Sequence, residues 1–567
     1  MTARREGWLF ALCAFVILAA GIGLRDPWPA DEPRFALSAQ QMVASGDWLI
    51  PHRGHEIYAD KPPAFMAAQA LSYEFTRSWR IAFLLPSLLA ALGTLWLVYD
   101  LARRLWDHRA GLYAACALLA AFQFAYQAKR AQIDPAVTFF ITLANYGLLR
   151  HFLLGPDWRA YWLGCFAAGL GVITKGVGVL ALFLFAPYIF ARFAHWNFVA
   201  PTSRSALRWL GGGAAFFVAL ALWFVPLLLA VQADPKPEYA AYLHDILFRQ
   251  TAARYTDSWD HQHSFWYYAT VIATGWLPLI LALPALLPRW RDAFRQRDAR
   301  LLLPLVWIVL IIAFFSVPRG KRDVYILPAL PLFALAAAPY LHEIMQRWWA
   351  RITTFAFTCA VGAGFLTAGA YFLLAHPPFA NDLAEQRGLA NNGAALWWLL
   401  IALGAWLLAC ATYFRSVRAL HGLVAGIAGL WLLWSFWAYP LLNDSSSAAG
   451  LMRHAGEMIG PDAELGLVAW KEQNLLFADR KVAEFGFVKP AHEQLGAAIL
   501  WQRAAPERRW VFVLADAMAP CIDLAQAQYV GHANRREWWL FRAEAVAPAC
   551  RDGKVPKSGA ALDPNSD

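Results

Sequence analysis

Two acidic positions stand directly outside apolar segments, at points where a helix is predicted to begin. Asp31 and Glu32 precede a proline and Arg34, and Asp134 also precedes a proline. Proline suits the first turn of a helix. A carboxylate beside it can cap the helix, accept a proton or hold a cation. The sequence leaves two interpretations of each acid, a helix cap at the membrane surface or the edge of an active site.

The first acidic position opens a predicted amphipathic helix in ADEPRFALSAQQMVASGDW. Polar residues lie on one side of the helical pattern and apolar residues on the other, namely Asp31, Arg34, Ser38, Gln41 and Ser45 against Phe35, Ala39, Met42 and Val43. Such a pattern is typical of a helix lying along a membrane surface. We expect turns after it and a second short interfacial helix.

The elements that hold these residues are predicted from the apolar composition. Of the 567 residues 59% are hydrophobic and 16% are charged. Apolar runs of about 18 or more residues are typical of membrane spans, and they predict an all-α polytopic membrane protein with about 13 transmembrane helices. The predicted spans are residues 8–24, 80–100, 110–128, 135–153, 160–174, 176–192, 208–230, 264–287, 301–316, 323–341, 352–374, 395–414 and 420–438. A turn or kink at GVITKGVG is the alternative to two separate spans there.

Arginine-rich loops alternate with loops rich in acid and histidine. Loops such as ARRLWDHR and PRWRDAFRQRDAR are typical of the cytoplasmic side, so the net charge of +10 does not indicate a nucleic-acid partner. We expect a bacterial inner-membrane protein whose N-terminus is a retained cytoplasmic anchor. The outer side then receives residues 25–79, 129–134, 231–263, 317–322 and 375–394 together with the tail. If the protein catalyses a reaction, its active site is predicted on this outer side.

The chain is predicted to divide into a transmembrane domain, residues 1–440, and a soluble periplasmic α/β domain, residues 441–567. ELGLVAW, RRWVFVLAD and REWWLFRAE are strand-like, and the polar end from residue 552 is typical of disorder. Cys521 and Cys550 could form a disulfide if the tail is periplasmic, but their spacing does not decide this.

The first outer loop resembles that of the membrane glycosyltransferases of the aminoarabinose transferase and protein O-mannosyltransferase superfamily, which have the GT-C fold. The shared elements are an acidic pair followed by arginine, Gly-Asp-Trp, and Tyr-x-Asp-Lys-Pro, here Asp31-Glu32, Arg34, Gly46-Asp47-Trp48, Tyr58 and Asp60-Lys61-Pro62. Other segments resemble later motifs of the family, namely RAQIDPAVTFF with Asp134, ITKGVGV with Lys175, HQHSFWYY with His261 and His263, and FFSVPRGKRDVYILPALP with Lys321 and Tyr325. The likeness covers about residues 8–340. Asp60 stands where the aminoarabinose branch more often has glutamate, so the branch stays open.

The resemblance implies an enzyme that moves a sugar from a polyprenyl (undecaprenyl) phosphate carrier to an acceptor on the outer face. Breaking the sugar–phosphate bond leaves charge on the carrier phosphate, and preorganised Lys and Arg side chains stabilise such charge. The candidates are Arg34 and Lys61 from the motif, and Arg254, Lys321 and Arg322. The alternative for each is an interfacial cation.

The role of the candidate catalytic acids Asp31, Glu32 and Asp134 depends on the acceptor. A serine or threonine hydroxyl needs a general base, whereas a lipid A phosphate is already largely anionic at neutral pH. The family likeness favours Asp31 over Glu32, and either acid could hold the ammonium group of an aminosugar. We expect lipid A phosphate with a 4-amino-4-deoxy-L-arabinose type of sugar, or another envelope glycolipid. Protein O-glycosylation is the alternative.

Other outer-face residues complete the candidate set: Tyr58, Asp60, Lys175, His261, His263 and Tyr325. His-x-His beside aspartates could bind a divalent metal, although the resemblance implies no required cofactor. A transporter or flippase is the alternative of another class. It would carry charge in mid-span and internal repeats, and the sequence offers neither clearly. We expect a monomer.

Overall fold

The computed structural model describes residues 3–201, 205–234, 236–246 and 262–557, and most of these residues are helical. The candidates Arg254 and His261 lie outside the described residues. The helices up to the end of the apolar region are α1 (Ala3–Ala19), α2 (Glu32–Ser45), α3 (Ala64–Thr76), α4 (Trp79–Ala82), α5 (Leu85–Leu105), α6 (His108–Ala120), α7 (Phe122–Ala128), α8 (Ile133–Leu154), α9 (Trp158–Thr174), α10 (Phe185–Phe193), α11 (Ala206–Ala233), α12 (Pro237–His244), α13 (Tyr267–Gly275), α14 (Leu283–Arg295), α15 (Ala299–Ser316), α16 (Ala329–Gln346), α17 (Trp348–Ala375), α18 (Pro378–Gln386), α19 (Ala394–Phe414), α20 (Ala419–Leu433) and α21 (Tyr439–Ser447).

The membrane-spanning pattern predicted from hydropathy is present in the structure. Among the described residues, eight helices are long and apolar enough to cross a membrane, or ten if each of two bent helix pairs is one span. The other three predicted spans fall on α1 and α9, which have 17 residues each, and on α16. All predicted spans therefore lie on helices, and the prediction of a polytopic helical membrane protein is confirmed.

The chain breaks at Lys175, where the sequence allowed a turn or a kink. Helix α9 ends at Thr174, Lys175 is extended at φ −161° and ψ 108°, and a 3₁₀ helix, Gly176–Leu184, follows. A Cβ atom on Gly178 would lie 2.1 Å from the carbonyl carbon of Gly171, so only glycine permits this close return of the chain. The break releases Lys175 from helical geometry and lets its side chain reach another helix.

Helix α2 packs against the main core on its apolar side and against a hairpin along part of its polar side. Its apolar residues Phe35 and Met42 are buried in the main core. On the polar side, Ser38 Oγ donates to the carbonyl oxygen of His52 at 2.7 Å, and Gln41 Nε2 donates to that of Gly54 at 2.8 Å. These acceptors belong to a hairpin of β1 (His52–Arg53) and β2 (Glu56–Ile57). The polar side is therefore packed against the hairpin at Ser38 and Gln41, and Ser45 stays exposed.

The C-terminal domain is built on a five-stranded mixed sheet. Its elements are α22 (Ala449–Ile459), β3 (Glu464–Val468), α23 (Glu472–Leu476), β4 (Val482–Glu484), α24 (Ala491–Arg503), β5 (Arg509–Leu514), β6 (Gln528–Ala533) and β7 (Arg536–Phe541). The strand order is β4-β3-β5-β7-β6, with β4, β3 and β5 parallel and β7 antiparallel to its two neighbours. Phe512 and Leu514 face one core cluster, and Val511 and Val513 face the other, so β5 is buried on both sides. The predicted α/β module is present, and β4 and β6 are strands that the sequence did not predict.

Two further features of the tail bear on its sequence predictions. The helical run in which the predicted boundary at residue 440 falls continues to Ser447 before the sheet domain begins. Cys521 and Cys550 form a disulfide with a Cα–Cα distance of 5.7 Å. Of the end predicted to be disordered, residues 558–567 lie outside the described part, whereas Val555 packs against the domain core.

Candidate active site

Asp31 lies at the N-terminus of α2 but does not cap it with its side chain. Its carboxylate accepts hydrogen bonds from Arg322 at 2.8 Å and from Gln132 Nε2 at 3.4 Å, and a nitrogen of Arg34 lies 3.8 Å away. Burial alone would raise the pKa of Asp31, but Arg322 and Arg34 outweigh burial and lower the pKa to about 2. Asp31 is therefore a paired carboxylate at neutral pH.

Asp134 forms the second acidic position and also makes no helix cap. It lies in the first turn of α8, whose N-cap residue is Gln132. The Asp134 carboxylate lies 2.5 Å from the ammonium nitrogen of Lys175, which in turn lies 5.0 Å from the ring centre of Tyr325. Burial tends to lower the pKa of Arg322, but the charges of Asp31 and Asp134 raise it overall. Arg322 therefore joins the two acidic positions into one cluster.

Glu32 has a different environment from its neighbour Asp31. Its side chain is fully buried and pairs through both oxygens with Arg25, at 2.5 and 2.9 Å. It also accepts backbone N–H bonds from Trp28 at 2.8 Å and Ala131 at 3.0 Å. Burial raises the pKa of Glu32, but the charge and hydrogen bonds of Arg25 lower it by a larger amount. The pKa of Glu32 therefore lies below its usual value. These contacts tie residues 25–32 to the start of α8, which makes Glu32 a structural link between the two acidic positions.

The C-terminal domain contributes a residue that the sequence analysis missed. Glu472, the first residue of α23, accepts a hydrogen bond from Arg34 Nε at 2.7 Å and lies 3.5 Å from Arg53. The guanidinium of Arg53 stacks on Phe487 at 3.7 Å. The only local signal was a charged pair, Lys471-Glu472, shortly after a predicted strand.

Tyr58, Asp60 and Lys61 follow the hairpin, and Tyr58 lies near the cations Arg34 and Arg53. Tyr58 is buried, and its backbone N–H donates to the carbonyl oxygen of Pro51 at 2.8 Å. Burial and the charge of Asp60 raise the pKa of Tyr58. The Lys61 ammonium donates to the carbonyl oxygen of Asp60 at 2.9 Å. Of these three residues, Tyr58 contacts the cluster through Arg53, at 5.6 Å from its ring centre, and the contact of Lys61 is with its own neighbour.

Lys321 and His263 form a separate contact. The Lys321 ammonium donates to the carbonyl oxygens of Pro318 at 2.6 Å and His263 at 3.1 Å. The exposed ring of His263 stacks on Tyr267 at 4.2 Å. These contacts hold the Lys321 loop, and a contact of Lys321 with the donor phosphate stays a prediction. In the ranges that the structure covers, no group of three His, Cys, Asp or Glu side chains could hold a metal ion.

The residues around Asp31 form what we call the outer cluster. Its members are the carboxylates Asp31, Asp134 and Glu472 and the cations Arg34, Arg53, Lys175 and Arg322. Cations outnumber carboxylates by one in this set, and a bound phosphate diester would balance that charge. The cluster can hold an anionic phosphate and at the same time present carboxylates to a cationic group.

The polytopic helical domain, the charged cluster on its connecting segments and the sheet domain beside that cluster belong to a chain whose relatives are membrane glycosyltransferases. The family model described as dolichyl-phosphate-mannose-protein mannosyltransferase matches residues 60–228. An undecaprenyl phosphate-alpha-4-amino-4-deoxy-L-arabinose arabinosyl transferase of Sodalis glossinidius is 30% identical over 412 residues, which cover 70% of this chain and 67% of that protein. The enzyme of the same name from Pseudomonas aeruginosa is 29% identical over 534 residues, covering 88% of this chain and 90% of that protein.

The chain belongs to the family of these arabinosyl transferases. The crystal structure of ArnT from Cupriavidus metallidurans bound to undecaprenyl phosphate superposes with a TM-score of 0.72 at 20% sequence identity, covering 96% of this chain and all of that one. This likeness shows a shared fold over the membrane domain and the tail. The predictions of the glycosyltransferase family and of its fold are confirmed.

Proposed function

We propose that the protein transfers 4-amino-4-deoxy-L-arabinose from undecaprenyl phosphate to a phosphate of lipid A, at the outer face of the inner membrane. The relatives in Sodalis and Pseudomonas are named for this donor. The observation that carries the choice of acceptor is the pairing of Asp31 with Arg322, which holds the carboxyl pKa at about 2.

A carboxylate with so low a pKa is a poor proton acceptor at neutral pH. A serine or threonine hydroxyl would need a base to remove its proton, whereas a phosphate monoester is already anionic and attacks without one. Asp31 therefore supports a phosphate acceptor over a protein hydroxyl. Its proposed role is to orient the sugar or the acceptor.

The charge balance of the reaction fits the cations of the outer cluster. The bond between the sugar C1 atom and the donor phosphate oxygen breaks, and a bond from C1 to an acceptor phosphate oxygen forms. The donor phosphate changes from a diester with one charge to a monoester with two, while the acceptor phosphate changes in the opposite direction. Arg34 and Arg322 of the outer cluster, together with Lys61 of the first-loop motif, are the proposed groups that stabilise the charge gained by the donor phosphate.

The aminosugar carries an ammonium group that a carboxylate would recognise. Asp31 and Asp134 each keep 14% of their side-chain surface exposed, so an oxygen of either could reach a ligand. Both acids are paired, Asp134 with Lys175 at 2.5 Å and Asp31 through Oδ2 with Arg322 at 2.8 Å. We propose Asp31 for the ammonium contact, because its Oδ1 atom lies 3.8 Å from the cation of Arg34, and Asp134 for holding Lys175.

The proposed orientation has the N-terminus in the cytoplasm and the sheet domain in the periplasm. The basic loops between spans support it, and the Cys521–Cys550 disulfide is suited to an oxidising compartment. We propose a monomer that needs no resident metal.

The test is mass spectrometry of lipid A from a strain that lacks its own transferase. Wild type is compared with Asp31→Asn and with Asp462→Asn, a matched change at an exposed aspartate of the tail. We expect a mass increase of one aminopentose with wild type and Asp462→Asn, and its loss with Asp31→Asn. Unmodified lipid A with folded wild-type protein would exclude this acceptor, and a glycosylated envelope protein in the same cells would favour protein O-glycosylation.

A further inference from the structure

The sheet domain meets the membrane domain through the carboxyl ends of its parallel strands. After β3 the chain reaches Glu472, and β4 ends at Glu484, whose carboxylate lies 2.6 Å from the ring of His55. In open α/β sheets this edge is where ligands ordinarily bind. Here it holds the tip of the β1–β2 hairpin.

The hairpin tip is fitted closely to that edge. Gly54 has φ of 67°, and a Cβ atom there would lie 2.0 Å from Glu484 Oε2. Arg53 is buried between Glu472 and the ring of Phe487. The contact therefore fixes the position of the sheet domain relative to the first outer loop.

Within this contact, Glu472 and Asp31 share one cation. Arg34 donates from Nε to Glu472 at 2.7 Å, whereas its distance to Asp31 is 3.8 Å. The Glu472 side chain is 3% exposed and that of Arg34 is 16% exposed. Glu472 engages Nε of Arg34, and the terminal nitrogen Nη1 is the atom that lies 3.8 Å from Asp31.

We infer that Glu472 is a positioning residue for the transfer reaction, contributed by the soluble domain and acting through Arg34. The inference rests on the proposed function. Glu472 holds Arg34 where its guanidinium can face the donor phosphate, and keeps it from closing onto Asp31 as a bidentate pair. Without Glu472, Arg34 turns toward Asp31, so that the donor phosphate loses a cation and the sugar loses a carboxylate.

The contacts of Arg53 and Arg34 distinguish a role of Glu472 in positioning Arg34 from a role in docking the sheet domain. Arg53 shares Glu472 but is stacked on Phe487 and lies close to the ring of Tyr58 at 5.6 Å. A change at Arg53 therefore tests the docking of the sheet domain, and a change at Arg34 tests the rate of the reaction. Arg53→Met keeps an apolar side chain beside Phe487 and removes the charge that faces Glu472.

The experiment measures kcat and KM for transfer from the undecaprenyl phosphate-linked aminosugar to lipid A in detergent. We expect Glu472→Gln to lower kcat on the order of 100-fold with a smaller change in KM, as misplaced catalytic groups do. Glu472→Asp keeps the charge and should recover part of this loss. In an Arg34→Gln background, Glu472→Gln should add less than about threefold, because both changes remove one interaction.

Controls separate this from misfolding and from failure of the proposed function. Thermal unfolding midpoints show whether each variant is folded, and Arg53→Met should lose less kcat than Glu472→Gln. The inference would be overturned if Glu472→Gln had the wild-type kcat, or if Arg53→Met and Glu472→Gln lost kcat equally. It would also be overturned if the losses of kcat in Glu472→Gln and Arg34→Gln multiplied in the double variant. Lack of transfer by wild type would refute the proposed function instead. In that case the affinity for undecaprenyl phosphate tests Glu472 by itself. Glu472→Gln and Arg34→Gln should weaken this binding equally, and unchanged binding in Glu472→Gln overturns the inference.

Discussion

Replacing Glu32 by glutamine should destabilise the protein far more than an ordinary loss of an ion pair. Arg25 and Glu32 have 2% and 0% of their side chains exposed, and their two hydrogen bonds are 2.5 and 2.9 Å long. Glutamine keeps the shape but leaves the Arg25 guanidinium charged and buried without its counterion. Removing one partner of a buried pair costs about 3–5 kcal/mol. We expect Glu32→Gln to lower the thermal unfolding midpoint in detergent by several degrees.

Two matched variants show whether the cost arises from the buried charge. Glu343→Gln removes a carboxylate that is 58% exposed and pairs with Arg289 at 2.7 Å, so its effect should be about 0–1 kcal/mol. Combining Arg25→Met with Glu32→Gln removes both charges and should recover part of the loss. If Glu32→Gln unfolds at the wild-type temperature and yet abolishes transfer, Glu32 acts in the chemistry and the structural assignment is wrong.

Three further predictions concern pH, the disulfide and metals. The pKa of Asp31 falls from 3.8 to about 2 on folding, so its carboxylate contributes about 2 kcal/mol to the free energy of unfolding above pH 4. This contribution is lost as the pH falls toward 2, and Asp31→Asn should therefore flatten the acid unfolding curve in that range. Equal acid sensitivity of the variant and wild type would refute this. The double change Cys521→Ser/Cys550→Ser should destabilise the sheet domain by about 2–5 kcal/mol, seen as faster proteolysis of the tail, and undiminished resistance would contradict it. Transfer should be unaffected by EDTA after dialysis, and recovery of a lost activity by added divalent metal would show that a metal is required.

The membrane spans and the first-loop motif could be predicted from the sequence because both are local. Hydropathy depends on neighbouring residues, and the spacing of Asp31, Tyr58 and Lys61 is visible along one loop. The contact of Glu472 with Arg34 joins residues 438 positions apart, and no local pattern encodes that distance. The burial of Glu32 was likewise invisible, because the same residue type at the same helix end can be solvated or enclosed. Sequence therefore predicted which residues are charged and where the loops lie, but not how the charges pair.

Asp31 and Glu32 show why an acidic pair need not be a pair of catalytic acids. Successive residues at a helix start point in different directions and do not face each other. Asp31 turns toward Arg322 and the outer cluster, while Glu32 turns inward to Arg25 and the start of α8. Two carboxylates that diverge in this way cannot act together on one bond. The contacts of Glu32 fix the loop against the segment that precedes Asp134. The catalytic roles of Asp31 and Glu32 stay predictions, which Asp31→Asn and Glu32→Gln test separately.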